Sequence, residues 1–132
     1  MGACYSVYCK LKFKQGDEQK ALTKMQECYI KHIEKNVEFC IEKYPFKEPH
    51  RIQDYLGLYF AEHQNMFDYN RSTLANGNVI YEIDSGFDAS YGWHGVMLEF
   101  FESIAEYLMR GSYLKILDDD AVTYRIKDGR VV

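Results

Sequence analysis

Near its amino end the chain alternates strictly. Tyr5, Val7, Cys9, Leu11 and Phe13 share one parity; Cys4, Ser6, Tyr8, Lys10, Lys12 and Lys14 share the other. A period of two describes a strand with one buried face. Gly16 and Asp17 interrupt it, and Asp17 followed by Glu18 suits a helix start, where carboxylates meet unpaired backbone N–H groups. The spacing then changes to three and four. Leu22, Met25, Tyr29, Ile33, Val37, Cys40 and Tyr44 form one stripe, flanked by Ile30, Phe39 and Ile41, which predicts a helix over 17–44 stopped by Pro45. At about 1.5 Å per residue that helix would be about 40 Å long and overhang a small sheet. A second amphipathic stretch over 50–63, with Ile52, Tyr55, Leu56, Tyr59 and Phe60 on one side and Gly57 as a weak point, is expected to cover the overhang.

No clear period runs through 66–72. Asn76-Gly77 is the strongest turn signal and predicts a type I′ hairpin joining 71–75 to 78–84. Residues 84–92 are rich in turn formers and read as a loop. From Trp93 onward Met97, Phe100, Ile104 and Leu108 recur at helical spacing, predicting a central helix over 93–109 with Gly111 beyond its end. Residues 113–117 and 122–126 pair as a hairpin across Asp118, Asp119 and Asp120, and Asp128-Gly129 makes a last turn before Val131 and Val132. The order β-α-α-β(β)-α-β-β predicts a single α+β domain over 1–132. Its sheet is mainly antiparallel, of about four to five strands, with helices on one face in a ferredoxin-like arrangement.

Composition sharpens this in three ways. With 132 residues, 47% of them hydrophobic, the chain can bury one proper core, and two Pro argue against a disordered protein. Twelve Tyr are available for surfaces that need an apolar ring and a wet hydroxyl. The formal charge of −4 is uneven, since residues 1–51 balance at +3 and residues 52–132 at −7. An acidic half suits a basic protein partner and disfavours direct nucleic-acid binding. Met-Gly-Ala-Cys-Tyr-Ser fits the myristoylation pattern, but a strand starting at residue 3 or 4 leaves no arm to carry a lipid, so none is expected. With no apolar span or signal segment and no framework spacing of Cys4, Cys9, Cys28 and Cys40, a reduced cytoplasmic protein away from membranes is expected.

Candidate chemistry gathers in residues 84–94. Asp88, Ser90, Tyr91 and His94 lie where a strand passes into a helix and backbone N–H groups are free. His94 as base with Ser90 or Asp88 as partner would make an enzyme site, but no nucleophile elbow surrounds Ser90, and Asp88 or Ser90 capping the helix is the commoner arrangement. Cys28 and His32 sit one turn apart as a metal pair lacking further ligands, because Cys4 and Cys9 point to opposite faces. No metal and no cofactor are expected. Glu99, Glu102 and Glu106 line the polar side of the central helix, and Asp119 and Asp120 stand at a hairpin tip without the spacing of a calcium loop.

The function expected from these residues is a small cytoplasmic protein–protein interaction module, of the inhibitor or immunity type that phages and mobile elements carry. Asp88, Ser90, Tyr91, His94, Glu99, Glu102, Asp119 and Asp120 are its binding candidates, with a basic partner or a second copy as occupant. A small-ligand binder or enzyme using the 84–94 loop is the alternative, and catalysis is the less favoured reading.

Overall fold

The computed structural model describes residues 3–35, 49–61 and 68–132. The Met1-Gly2 start, the Val37, Cys40 and Tyr44 continuation of the first helix, its stop at Pro45 and the end of the second at His63 lie outside those residues. The elements are β1 (Ala3–Phe13), α1 (Asp17–Glu34), α2 (Ile52–Phe60), β2 (Asp68–Thr73), β3 (Val79–Ala89), α3 (Trp93–Ser103), a 3-10 turn (Ala105–Tyr107), β4 (Tyr113–Leu117), β5 (Ala121–Lys127) and β6 (Arg130–Val131). The strands form one sheet in the order β2-β3-β1-β4-β5-β6, antiparallel at every pairing. Helices cross over between β1 and β2 and between β3 and β4, which with the order 2-3-1-4 gives the ferredoxin-like α+β arrangement, extended by two strands.

The alternation of β1 is realised as expected. Tyr5, Val7, Cys9, Leu11 and Phe13 are buried while Cys4 and Tyr8 are exposed. Tyr81 and Ile83 of β3 and Leu114 and Ile116 of β4 continue the buried face, and Met25, Leu56, Phe60, Trp93, Met97 and Phe100 cover it from the helices. The edge strand β2 is tied to α1 through Arg71, whose guanidinium meets the Glu18 carboxylate at 2.9 Å. The Tyr81 hydroxyl donates to that carboxylate at 2.7 Å, and burial pushes the phenol pKa up to about 12.

Four local expectations are corrected. Residues 84–89 are strand, not loop. The register from Phe13 opposite Val79 to Ala3 opposite Ala89 supplies a partner for the whole eleven-residue β3, which overrides the turn preferences of Asp84, Ser85 and Gly86. On α1 the buried stripe is Ala21, Met25, Cys28 and His32, while Ile33 is 40% exposed and Ile30 more so. The apolar arc of α1 reaches from Ala21 round to Ile30, and packing against α2 and α3 places its Ala21–Cys28 edge innermost. The central helix ends at Ser103. Ile104 and Leu108 remain buried through the 3-10 turn and a single bridge from Leu108 to Phe13. The β2–β3 turn is not type I′, which needs two left-handed residues: only Gly77 has positive φ (87°), and its N–H donates to the Leu74 carbonyl at 2.9 Å. A β-carbon there would lie 2.6 Å from the Gln15 side chain.

Candidate functional site

The segment expected to form a binding loop shrinks to residues 90–92. Asp88 is exposed on the side of β3 that faces away from α1, α2 and α3, opposite Cys4, whose thiol pKa it raises through a hydrogen bond and its charge. Neither Asp88 nor Ser90 caps α3. Gly92 is the N-cap and no side chain bonds to it, while Gly16 rather than Asp17 takes that position on α1. The Ser90 hydroxyl is buried with no hydrogen-bond partner among the described residues. Its carbonyl accepts from the Tyr5 hydroxyl at 2.8 Å, and that of Tyr91 does so at 3.1 Å. Trp93 is fully buried and donates its indole N–H to the Tyr59 carbonyl at 2.9 Å. Tyr91 alone projects, 62% exposed.

His94 belongs to a different group. Its Nδ1 lies 2.9 Å from Asp118 and its Nε2 is 2.7 Å from the Tyr124 hydroxyl, so the first turn of α3 is fastened to the β4–β5 hairpin. The hydrogen bond to His94 holds the Asp118 carboxyl below the usual carboxylate range, against a small opposing effect of burial. The Tyr124 phenol is pushed up by burial and by the nearby Asp118 and Glu102 charges. Carboxylate, imidazole and hydroxyl stand in the order of a nucleophilic triad, and the same three groups fasten α3 to the β4–β5 hairpin.

A second histidine, unremarked as a buried residue in the sequence, marks the groove between α1 and α3. His32 is 2% exposed. Its Nδ1 is 2.7 Å from the Tyr59 hydroxyl and its Nε2 3.0 Å from Glu99, with Cys28 Sγ 3.8 Å from Nδ1. The groove encloses about 440 Å³ and is lined by Lys24, Lys31, Glu99, Glu102, Cys28 and His32 among others. Burial raises the Cys28 thiol pKa more than its hydrogen bonds to Ser103 and Tyr59 lower it, so a thiol rather than a thiolate faces His32. No cluster of three metal-ligating side chains occurs among the described residues. The sequence paired Cys28 with His32 and named Tyr59 and Glu99 separately, without joining them to that pair. The 21, 25, 28 spacing of small and apolar side chains, which continues to His32, was the available signal.

Glu99 is taken by His32, Glu106 approaches Lys24 at 3.9 Å, Glu102 shares the groove with Glu99 and acts with Asp118 on the Tyr124 phenol, and Asp119 and Asp120 stand exposed at the β4–β5 tip.

The other side of the sheet carries no helix among the described residues. By parity it presents Glu82, Asp84 and Asp88 from β3, Lys10 and Lys12 from β1, Lys115 from β4 and Arg125 from β5. Tyr8 is 41% exposed, and a shallow groove of about 460 Å³ runs past Tyr8, Asn70, Glu82, Asp84 and Tyr113. None of the seven charged side chains joins an ion pair within 4 Å among the described residues, whereas the helix side contains several. Comparison with protein-family models, curated proteins and solved structures found no match. Among the described residues no helix is long and apolar enough to cross a membrane.

Proposed function

We propose that this chain is a protein-binding module, of the inhibitor or immunity type, and that the sheet face opposite α1, α2 and α3 is the docking surface. One observation supports this reading above the others: Tyr8 and Tyr113 stand on that face beside charges that join no ion pair among the described residues and are separated by sign. Tyr supplies contact area at low entropic cost, and unpaired charges steer and orient an encounter. The three carboxylates of β3 suit a partner with basic groups. The carboxylates of β3 beside the basic strip of β1 disfavour a nucleic-acid backbone. To test the proposal, a photo-reactive amino acid is placed at position 8 and, as a control, at Gln19 on the exposed side of α1, and each variant is irradiated inside its source cell. A protein adduct at position 8 and none at position 19 is expected. Absence of any adduct at position 8 removes the docking face.

A second reading, a small-ligand binder, is favoured by the buried His32 linking the groove-lining Glu99 to Tyr59. It moves the ligand away from residues 84–94 and into the α1–α3 groove.

A further inference from the structure

We propose that the sheet face opposite α1, α2 and α3 docks on a second copy of this chain, across a two-fold axis running along the boundary between β1 and β3. The proposal rests on the protein-binding reading above and names the occupant. β1 and β3 are neighbours in register, with Lys10 opposite Glu82 and Tyr8 opposite Asp84. Turning a second sheet over about an axis parallel to these strands lays β3 of one copy on β1 of the other without changing height along the strand. Each side chain then meets the register partner of its own neighbour: Lys10 faces the second copy's Glu82, and Tyr8 faces its Asp84. Symmetry makes both contacts twice. Farther from the axis, β4 with Lys115 lies over the second copy's β2 and β5 with Arg125 lies beyond its edge, so the charge match rests on β1 and β3.

The five strands presenting this face have eleven, eleven, six, five and seven residues, so at about 3.3 Å per residue and about 4.8 Å between strands they offer about 600 Å². Standard interfaces take about 800 Å² from each partner, so a dimer of modest affinity is expected. Aligned sheets cross at about 30°, so the match is tightest around Tyr8, Lys10, Glu82 and Asp84 and loosens toward the strand ends.

The test uses the full chain and two single reversals, K10E and E82K. In each reversed homodimer two like-charge pairs oppose one another, so each variant alone should dimerise at least about tenfold more weakly than wild type by sedimentation. Mixed one to one, K10E and E82K should form a heterodimer of about wild-type affinity. The two reversed positions then face each other with opposite charge at one contact, and the unaltered Lys10 and Glu82 pair at the other. An intramolecular role for Lys10 and Glu82 does not produce recovery on mixing. Raising salt should weaken the wild-type dimer, since the charges attract over distances that salt screens. A second readout needs no reversal: the photo-adduct at position 8 should have twice the 15.6 kDa chain mass and contain two copies. A wild-type chain that stays monomeric, a mixture that does not recover, or a position-8 adduct with another protein alone overturns the second copy. The last of these leaves the protein-binding reading standing, whereas no adduct at all removes both.

Discussion

Phe100→Ala tests the packing that positions both histidine clusters. Phe100 is fully buried on α3, stacked on Tyr59 at 4.1 Å between ring centres and edge-on to Phe60 at 5.5 Å. Truncating a buried Phe costs about 3–5 kcal/mol, which includes the two ring pairs at about 0.5–1.5 kcal/mol each. Since Phe100 and both rings packed on it are fully buried, a value in the middle of that range, about 4 kcal/mol, is expected. Ile33→Ala is the contrast. Periodicity alone puts Ile33 on the same buried stripe, yet it is 40% exposed, so solvent fills the space and no cavity forms. The lost burial, about 1 kcal/mol, is offset in part by the higher helix propensity of Ala, leaving about 0.5–1 kcal/mol. Urea unfolding followed by circular dichroism reads both. With a slope of about 2 kcal/mol per M the midpoint should fall by about 2 M for Phe100→Ala and by less than about 0.5 M for Ile33→Ala. A loss under about 1 kcal/mol for Phe100→Ala, or equal losses for the two, would place α3 on the surface or α1 in a different rotation and refute the architecture.

Asp118 should titrate below the ordinary carboxylate value of about 3.9, so what it contributes to stability is complete above that value and disappears as pH falls through its own lower one. His94→Gln should return the Asp118 carboxyl toward the ordinary value in a carbon-13 titration; an unchanged value would deny that His94 holds it. Cys4 is exposed with its thiol pKa raised chiefly by Asp88, so Asp88→Asn should speed its alkylation at about pH 8, read at peptide level by mass spectrometry, whereas buried Cys9 and Cys28 should stay slow. No acceleration at Cys4 would show that Asp88 does not reach it.

The α+β class and the run of β1 were legible because alternation is local: Tyr5 to Phe13 state their buried face in their own spacing, and no distant residue is needed to read it. The same holds for the hairpin across Asp118 to Asp120, where turn formers separate two apolar stretches. Other features needed a partner. β3 extends through Ala89 only because an equally long β1 lies beside it, and nothing within 84–89 announces a strand. The buried side of α1 was ambiguous because its apolar arc runs wide, from Ala21 to Ile30, and α3 resolved it in favour of His32 over Ile33.

The sites were the least legible part. His32 meets Tyr59 and Glu99 from 27 and 67 residues away, and His94 meets Asp118 and Tyr124 from 24 and 30. On the open face, acid and base separate because β3 and β1 are adjacent strands although 65 or more residues lie between them in the chain. The sequence by itself determined which residues alternate, which repeat at helical spacing and where the chain turns, because those depend on backbone geometry over a few residues. The tertiary structure alone decided which polar groups meet. That depends on strand register and helix rotation, and both are fixed by burying the apolar faces of the whole chain together.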